Sequence, residues 1–171
     1  MPYAYGEPVT LTLTAADGTT ADLASYAEVT LTIVQPDGPL CACGKRGCLE
    51  ATSAGPGIAR AYAEATGVEV TAADVFARAA SGDSAAQRTL AVAIRYLGIG
   101  LSNAINLFDP DLVVVGGGVS RAGGDLFGPL RAVAAEFSAP SPVGAVPIVP
   151  AALGDSVGIL GAVALARSAA E

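Results

Sequence analysis

The chain has 171 residues, of which 52% are hydrophobic and 15% are charged, with a formal net charge of -7 and a pI near 4.4. This length suits one compact domain with a sizeable core, and the negative charge excludes a general attraction for nucleic acid phosphates. No apolar run reaches the roughly 18 residues of a membrane span. The cysteines are three and closely spaced, which suits a reducing compartment better than a disulfide framework. We therefore expect a cytoplasmic protein that does not bind nucleic acid or membranes.

Two segments near the N-terminus have the alternating pattern of half-buried strands. Residues 8–14 alternate Val9, Leu11 and Leu13 with polar residues, and residues 28–34 repeat the pattern. An AADG turn signal lies between them. We predict an antiparallel β-hairpin that joins the sheet of the following residues, because its apolar side chains need cover.

The rest of the chain alternates helical and strand patterns. Two short helices are predicted in residues 49–67, meeting at Gly55-Pro56-Gly57 and ending at Gly67, and another runs from an N-cap at Thr71 to Gly82. The later elements are a long helix in residues 83–108, a strand from Leu112 to Val115 that is buried on both faces, a helix in 124–138, a strand in 146–153 and a last helix in 156–170. This order predicts an α/β layer with a largely parallel sheet.

The stretch CACGKRGCLE contains all three cysteines, Cys41, Cys43 and Cys48, and the chain has no histidine. Two glycines let the backbone turn tightly, so that three thiolates can converge on one tetrahedral zinc ion. The fourth position must then be water, a carboxylate, another chain or nothing, and we expect weaker zinc binding than in a four-ligand site. The alternative is three reduced thiols in a glycine-rich loop.

Three further features are candidates for ligand binding. Gly116, Gly117 and Gly118 follow a predicted strand, where backbone amides can approach a phosphate or nucleoside, although such glycines also form tight turns without a ligand. Asp155 stands at a helix start, where an N-cap is the ordinary role. Glu50 follows the cysteines and is by default a solvated acid at a helix start.

Three stretches together resemble one family. PDGPLCACGKRGCLEATSAGPGIAR, INLFDPDLVVVGGGVS and LGDSVGILGAVALA, in this order, are similar to the C-terminal part of the ROK family. That family comprises sugar kinases, including glucokinases, and sugar-responsive repressors of the actin-like ATPase superfamily. A repressor would need a basic winged-helix segment, which this sequence does not contain.

The resemblance implies a role for each motif. Cys41, Cys43 and Cys48 would bind zinc, Glu50 would contact sugar hydroxyls, and Gly116 to Gly118 would lie against the nucleotide of ATP with Mg²⁺. A second sugar-binding candidate is Glu28, which matches the glutamate of the family's E-x-G-H motif in register.

The sequence also departs from the family. The E-x-G-H motif falls on residues 28–31, so Leu31 stands where the family has its zinc-binding histidine. The family's N-terminal lobe, with its phosphate loop and its aspartate general base, has no counterpart here. Residues 1–33 instead resemble an immunoglobulin-like β-segment, which suggests a chimera joined at the PDG tripeptide.

We therefore expect an α/β fold, namely an incomplete actin-like ATPase (ribonuclease H-like) C-lobe with an N-terminal β-hairpin. Residues 1–36 would be the hairpin segment and residues 37–171 the ROK-type lobe. The expected function is that of a truncated or chimeric sugar kinase lobe without phosphotransferase activity alone, which retains weak nucleotide, sugar or zinc binding. The alternative is a self-associating structural module, a homo-oligomer with a vestigial ligand surface.

Overall fold

The computed structural model describes residues 37–139, 145–152, 154, 162–163 and 166–167. The predicted N-terminal hairpin lies outside the described residues, as do Glu28 and Asp155. Of the predicted last helix, the described residues 162–163 and 166–167 are helical. The remaining elements are α1 (Leu49–Ser53), α2 (Gly55–Thr66), α3 (Ala72–Ala80), α4 (Ser84–Phe108), β1 (Val113–Val115), a short 3₁₀ helix (Gly118–Ala122), α5 (Gly124–Phe137) and β2 (Ile148–Pro150).

Local capping signals set the ends of the helices where the sequence predicts them. α2 ends at Gly67, whose φ of 74° is left-handed. α3 begins with a capping box, in which Thr71 and Asp74 each bond the other's backbone N–H. The N-cap of α4 is Asp83, whose carboxylate accepts two backbone N–H groups. Its C-cap is Asp109, which is left-handed with φ 45° and precedes a proline.

α4 is the central helix of the core. It contacts α1, α2, α3 and α5, and its contact with α5 is close because Gly98 lies directly against Val133. In the described part of the chain, α4 is the one helix whose length and apolar composition would allow it to cross a membrane. Its buried face, however, packs against four other helices, which is the environment of a core helix.

The described sheet has two parallel strands, β1 and β2, with Val113 opposite Ile148 and Val115 opposite Pro150. The parallel pairing agrees with the sequence prediction. The prediction that the first strand is buried on both faces is wrong, because Leu112 is 49% and Val114 is 56% exposed. Side chains alternate along a strand, and the helical core covers the face that carries Val113 and Val115. In the described part of the chain, the opposite face is open to solvent.

Candidate functional site

The three cysteine side chains converge at one point. Their Sγ atoms all lie within 4.8 Å of one another, and those of Cys43 and Cys48 are 3.5 Å apart. Cys41 and Cys48 are buried, and Cys43 is exposed. We refer to residues 41–48 as the cysteine loop. The sequence predicted this convergence from the C-x-C-x4-C spacing alone.

Backbone hydrogen bonds and glycines hold the cysteine loop in this shape. Gly44 and Gly47 have left-handed φ angles of 84° and 69°, which other residues rarely adopt. The Cys41 N–H donates to the Lys45 carbonyl at 2.7 Å, and the Gly47 N–H donates to the Pro39 carbonyl at 2.9 Å. The loop is therefore closed before any ligand is considered.

Arg60 of α2 fastens the loop to the helices. Its guanidinium donates to the carbonyl of Leu40 at 3.2 Å and to that of Ala51 at 2.7 Å. One side chain thus bridges the residue before the cysteine loop and helix α1, which follows it. No sequence pattern indicates this role, because the two acceptors are backbone atoms.

The thiols have different electrostatic environments. A hydrogen bond from the Lys45 backbone, aided by the other two thiols, lowers the pKa of Cys43 below its ordinary value. Burial raises the pKa of Cys48 to about 12, and its hydrogen bonds with Cys43 and Cys41 act in the same direction. Cys43 therefore ionises more readily than Cys48.

The geometry of the cluster fits a tetrahedral thiolate-bound metal ion. With Zn–S bonds of about 2.3 Å, sulfur atoms around tetrahedral zinc lie about 3.8 Å apart. The 3.5 Å between Cys43 and Cys48 and the 4.8 Å limit for the set need only small side-chain rotations to meet this value. Three soft sulfur ligands are the donor set that zinc prefers. The three cysteines would hold zinc as a structural ion that stabilises the loop.

Glu50 lies between the cysteine loop and a large cavity. It is the second residue of α1, and its Oε2 accepts a hydrogen bond from the Cys41 Sγ at 3.7 Å. The same residue lines a cavity of about 870 Å³. Its side chain is exposed and can turn toward either the sulfur atoms or the cavity.

The triple-glycine turn lies on the same cavity. Gly116, Gly117 and Gly118 follow β1 and form part of the wall, together with apolar residues of α4 and α5. Gly117 has a left-handed φ of 88°, so the turn requires glycine there, whereas a side chain would meet no steric barrier at Gly118. The structure therefore brings together Glu50 and the glycine turn, which are 66 residues apart in sequence.

Other parts of this wall were not predicted from the sequence. They come from several elements: Ser53, Ala54, Gly55, Pro56, Ala59, Val70, Thr71, Ala72, Ala73, Leu97, Val115, Val119 and Leu126. Thr71 was recognised as a helix cap, but no local pattern indicates that the start of α3 faces a cavity. Among the described residues that line the cavity, Glu50 is the one ionisable side chain.

The family model described as ROK family matches residues 25–169. The chain belongs to the ROK family. A glucokinase of Thermotoga maritima is 34% identical over 169 residues, covering 91% of this chain and 51% of that protein. This confirms the resemblance carried by the cysteine loop, the glycine turn and the C-terminal motif.

Two solved ROK structures share the fold. A ROK hexokinase from Thermus thermophilus has 37% sequence identity and a TM-score of 0.68, covering 77% of this chain and 45% of that one. A ROK family glucokinase from Streptomyces griseus, solved in complex with glucose and AMPPNP, has 31% identity and a TM-score of 0.70, covering 83% of this chain and 51% of that one.

These matches confirm the expected fold class, an incomplete C-lobe of the actin-like ATPase type. The chain spans about half the length of the ROK relatives it matches. The family match begins at residue 25, inside the segment assigned to a hairpin of different origin. The boundary after residue 36 and the immunoglobulin-like origin of residues 1–33 stay predictions.

Proposed function

We propose that this chain is a cytoplasmic sugar kinase lobe of the ROK family that binds a nucleotide and a hexose in one cavity but does not transfer phosphate by itself. The observation that carries the proposal is the shared wall of the 870 Å³ cavity, where Glu50 and Gly116 to Gly118 lie together. A volume of this size accommodates small-molecule ligands. The ROK glucokinase with glucose and AMPPNP bound supports the choice of ligands.

Each wall of the cavity offers a different interaction. Glycines without side chains allow a nucleotide to approach the backbone of the turn after β1. Apolar residues such as Leu97 and Val119, which are partly exposed, suit the faces of a nucleobase. The Glu50 carboxylate is an acceptor for sugar hydroxyls. We further propose that the three cysteines hold zinc, which fixes the loop next to Glu50, and that ATP enters with Mg²⁺.

The start of α3 is a poor site for the phosphates. Helix N-termini attract anions through free N–H groups. Here the carboxylate of Asp74 already accepts the N–H and hydroxyl of Thr71, at 2.9 and 2.7 Å. A negative group therefore already occupies that end of the helix, whereas the glycine turn and the start of α2, which has no side-chain cap, offer backbone to a phosphate.

The described residues that line the cavity do not include the groups that phosphoryl transfer needs. Transfer requires cations on the phosphates and a base at the attacking hydroxyl. The described lining has a single carboxylate and no lysine or arginine. Loss of a general base alone costs about 10²–10⁴ in rate. The chain by itself is therefore expected to bind ligands without turnover.

A coupled assay with ATP, magnesium and a panel of hexoses tests the absence of transfer. We expect no turnover above background at high protein concentration. Turnover near once per second with any hexose would show that the chain carries a base outside the described lining, and the inactive-lobe proposal would fail.

Equilibrium dialysis with AMPPNP and with glucose tests binding. Gly117→Ala should weaken AMPPNP binding because it strains the turn, whereas Gly82→Ala, at another left-handed glycine with open space around it, should not. Glu50→Gln should weaken glucose binding, and Glu69→Gln, at an exposed position between α2 and α3, is its control. If neither ligand binds to the unchanged chain, the proposed site is wrong.

A second candidate function, self-association as a homo-oligomer, is favoured by the exposed face of β1. Leu112 and Val114 are both about half exposed and point to the same side of the strand. Exposed apolar surface of this kind marks interaction sites. Sedimentation velocity would detect an oligomer in the unchanged chain, and Val114→Lys should dissociate it. A monomer at high concentration would exclude this candidate.

A further inference from the structure

We infer that Glu50 is the fourth ligand of the metal ion held by the three cysteines, and that this carboxylate is therefore shared between the metal and the sugar. The inference rests on the metal and sugar binding proposed above. No other residue type that commonly completes a thiolate zinc site is at hand, because the chain has three cysteines and no histidine.

The distance between Glu50 and Cys41 is that of two ligands on one ion. With Zn–S bonds of about 2.3 Å and Zn–O bonds of about 2.0 Å, tetrahedral geometry separates a sulfur and an oxygen ligand by about 3.5 Å. The Glu50 Oε2 and the Cys41 Sγ are 3.7 Å apart. The contact is with Cys41, at one corner of the cluster. Metal binding would require the exposed glutamate side chain to rotate from Cys41 toward the other two sulfur atoms.

The backbone supports this approach. Glu50 follows Cys48 by two residues at the start of α1, so its position relative to that ligand is set by the helix. Arg60 bonds both the carbonyl before Cys41 and that of Ala51, the residue after Glu50. The loop that carries the thiols and the turn that carries the carboxylate are thus tied together by one guanidinium.

The charges of this set are compatible with a divalent ion. Three thiolates and one carboxylate around Zn²⁺ give a net charge of -2, the same as a four-cysteine site. The Cys41 thiol donates a hydrogen bond to Glu50. A metal ion in the place of that proton would be held by the same two residues.

A shared carboxylate couples the two ligands. Glu50 also lines the cavity proposed for the sugar, and one carboxylate that turns toward the metal offers fewer acceptor positions to hydroxyl groups. Sugar binding is therefore expected to draw Glu50 away from the metal and leave a position for water. By linkage, metal and sugar then weaken each other's binding.

Cobalt(II) titration of the full chain tests the fourth ligand, because the visible bands of Co²⁺ report its coordination. Glu50→Ala should weaken Co²⁺ binding about tenfold or more, and Glu69→Ala should leave it unchanged. Added imidazole should enter the open position in Glu50→Ala at low concentration. The unchanged chain should need about tenfold more imidazole to give the same spectral change.

Three outcomes are decisive. Equal Co²⁺ affinity and equal imidazole sensitivity in the unchanged chain and Glu50→Ala would overturn the inference. Failure of both proteins to bind Co²⁺ would overturn the proposed metal site together with it. Glucose provides the third arm: it should shift the cobalt spectrum of the unchanged chain toward that of Glu50→Ala and have no effect on the variant. A glucose effect that persists in Glu50→Ala would contradict the shared carboxylate.

The same experiment separates this inference from the proposed sugar site. If glucose leaves the cobalt spectrum unchanged while dialysis shows that glucose binds, Glu50 serves the metal alone and the sharing is refuted. If glucose does not bind in dialysis, the sugar site is wrong. In that case the Co²⁺ affinities of Glu50→Ala and of its control Glu69→Ala still decide whether Glu50 is a metal ligand.

Discussion

Replacement of Gly98 by alanine tests how closely α4 and α5 must approach. A Cβ atom at Gly98 would lie 2.5 Å from the Val133 Cγ1 and 2.7 Å from the Val133 Cβ. Rotation of the valine side chain can move the Cγ1 atom but not the Cβ atom. The two helices must therefore separate by about 0.8 Å to reach the ordinary carbon–carbon contact of about 3.5 Å.

Two opposing effects decide the magnitude. Alanine is favoured over glycine in a helix interior by about 0.8–1 kcal/mol, which would stabilise the variant. Overpacking of a well-packed core costs about 1–3 kcal/mol, and the upper end applies because the clash is with a backbone-attached atom on a buried interface. The expected result for Gly98→Ala is a loss of about 2 kcal/mol, or about 4–8 °C in Tm.

Urea unfolding and thermal denaturation followed by circular dichroism measure this loss. Gly124→Ala, at the exposed first residue of α5 with nothing within 4 Å, is the matched control and should lose no stability. Leu97 and Leu126 line the cavity from the same two helices, so Gly98→Ala should also weaken AMPPNP binding. A Gly98→Ala variant that is as stable as the unchanged chain would refute the view that this glycine sets the distance between the helices.

Three further predictions concern single side chains. The Tyr62 hydroxyl donates to the Asp83 carboxylate at 2.6 Å and lowers the pKa of that carboxyl. Ionised Asp83 therefore stabilises the fold above the pKa that it has in the unfolded chain. This stabilisation is lost as the pH falls through the lower pKa that Asp83 has in the folded chain. Tyr62→Phe should accordingly be less stable than the unchanged chain at pH 7. Urea titrations should show that the difference in the free energy of unfolding between the two proteins narrows below about pH 4; a difference that does not depend on pH would contradict the prediction. Ser53→Ala removes a buried 2.8 Å hydrogen bond from α1 to a carbonyl of α4. Urea unfolding should therefore show a decrease of about 1 kcal/mol in the free energy of unfolding, and an unchanged unfolding midpoint would show that this hydrogen bond does not stabilise the fold. In the metal-free chain, iodoacetamide should modify the exposed, low-pKa Cys43 well before the buried Cys48, as mass spectrometry would show; the reverse order would show that the loop opens.

The helices were predictable because their signals are local. The Thr71 capping box, the glycine after α2 and the Asp109-Pro110 stop each lie within a few residues of the end that they define. Convergence of the three thiols was predictable for the same reason, since eight residues with two glycines have few ways to fold.

What the sequence did not predict depends on distant parts of the chain. The continuous apolar run of β1 indicated burial on both faces, but exposure of Val114 depends on which elements cover the sheet. The contact of Glu50 with Cys41, and the cavity that joins Glu50 to Gly117, depend on how α1 packs against α2 and α4. No pattern of one segment contains that information.

Asn106 of α4 binds the backbone N–H of Ala139, which follows α5, so that this amide reports on separation of the two helices. Its side chain donates to the Phe137 carbonyl at 3.1 Å and accepts the Ala139 N–H at 2.7 Å. Ala139 lies beyond the last residue of α5, so its N–H is held by α4 and not by its own helix. Exchange of this amide requires the bond to Asn106 to break, and hydrogen exchange at Ala139 therefore measures how often the carboxyl end of α5 leaves α4.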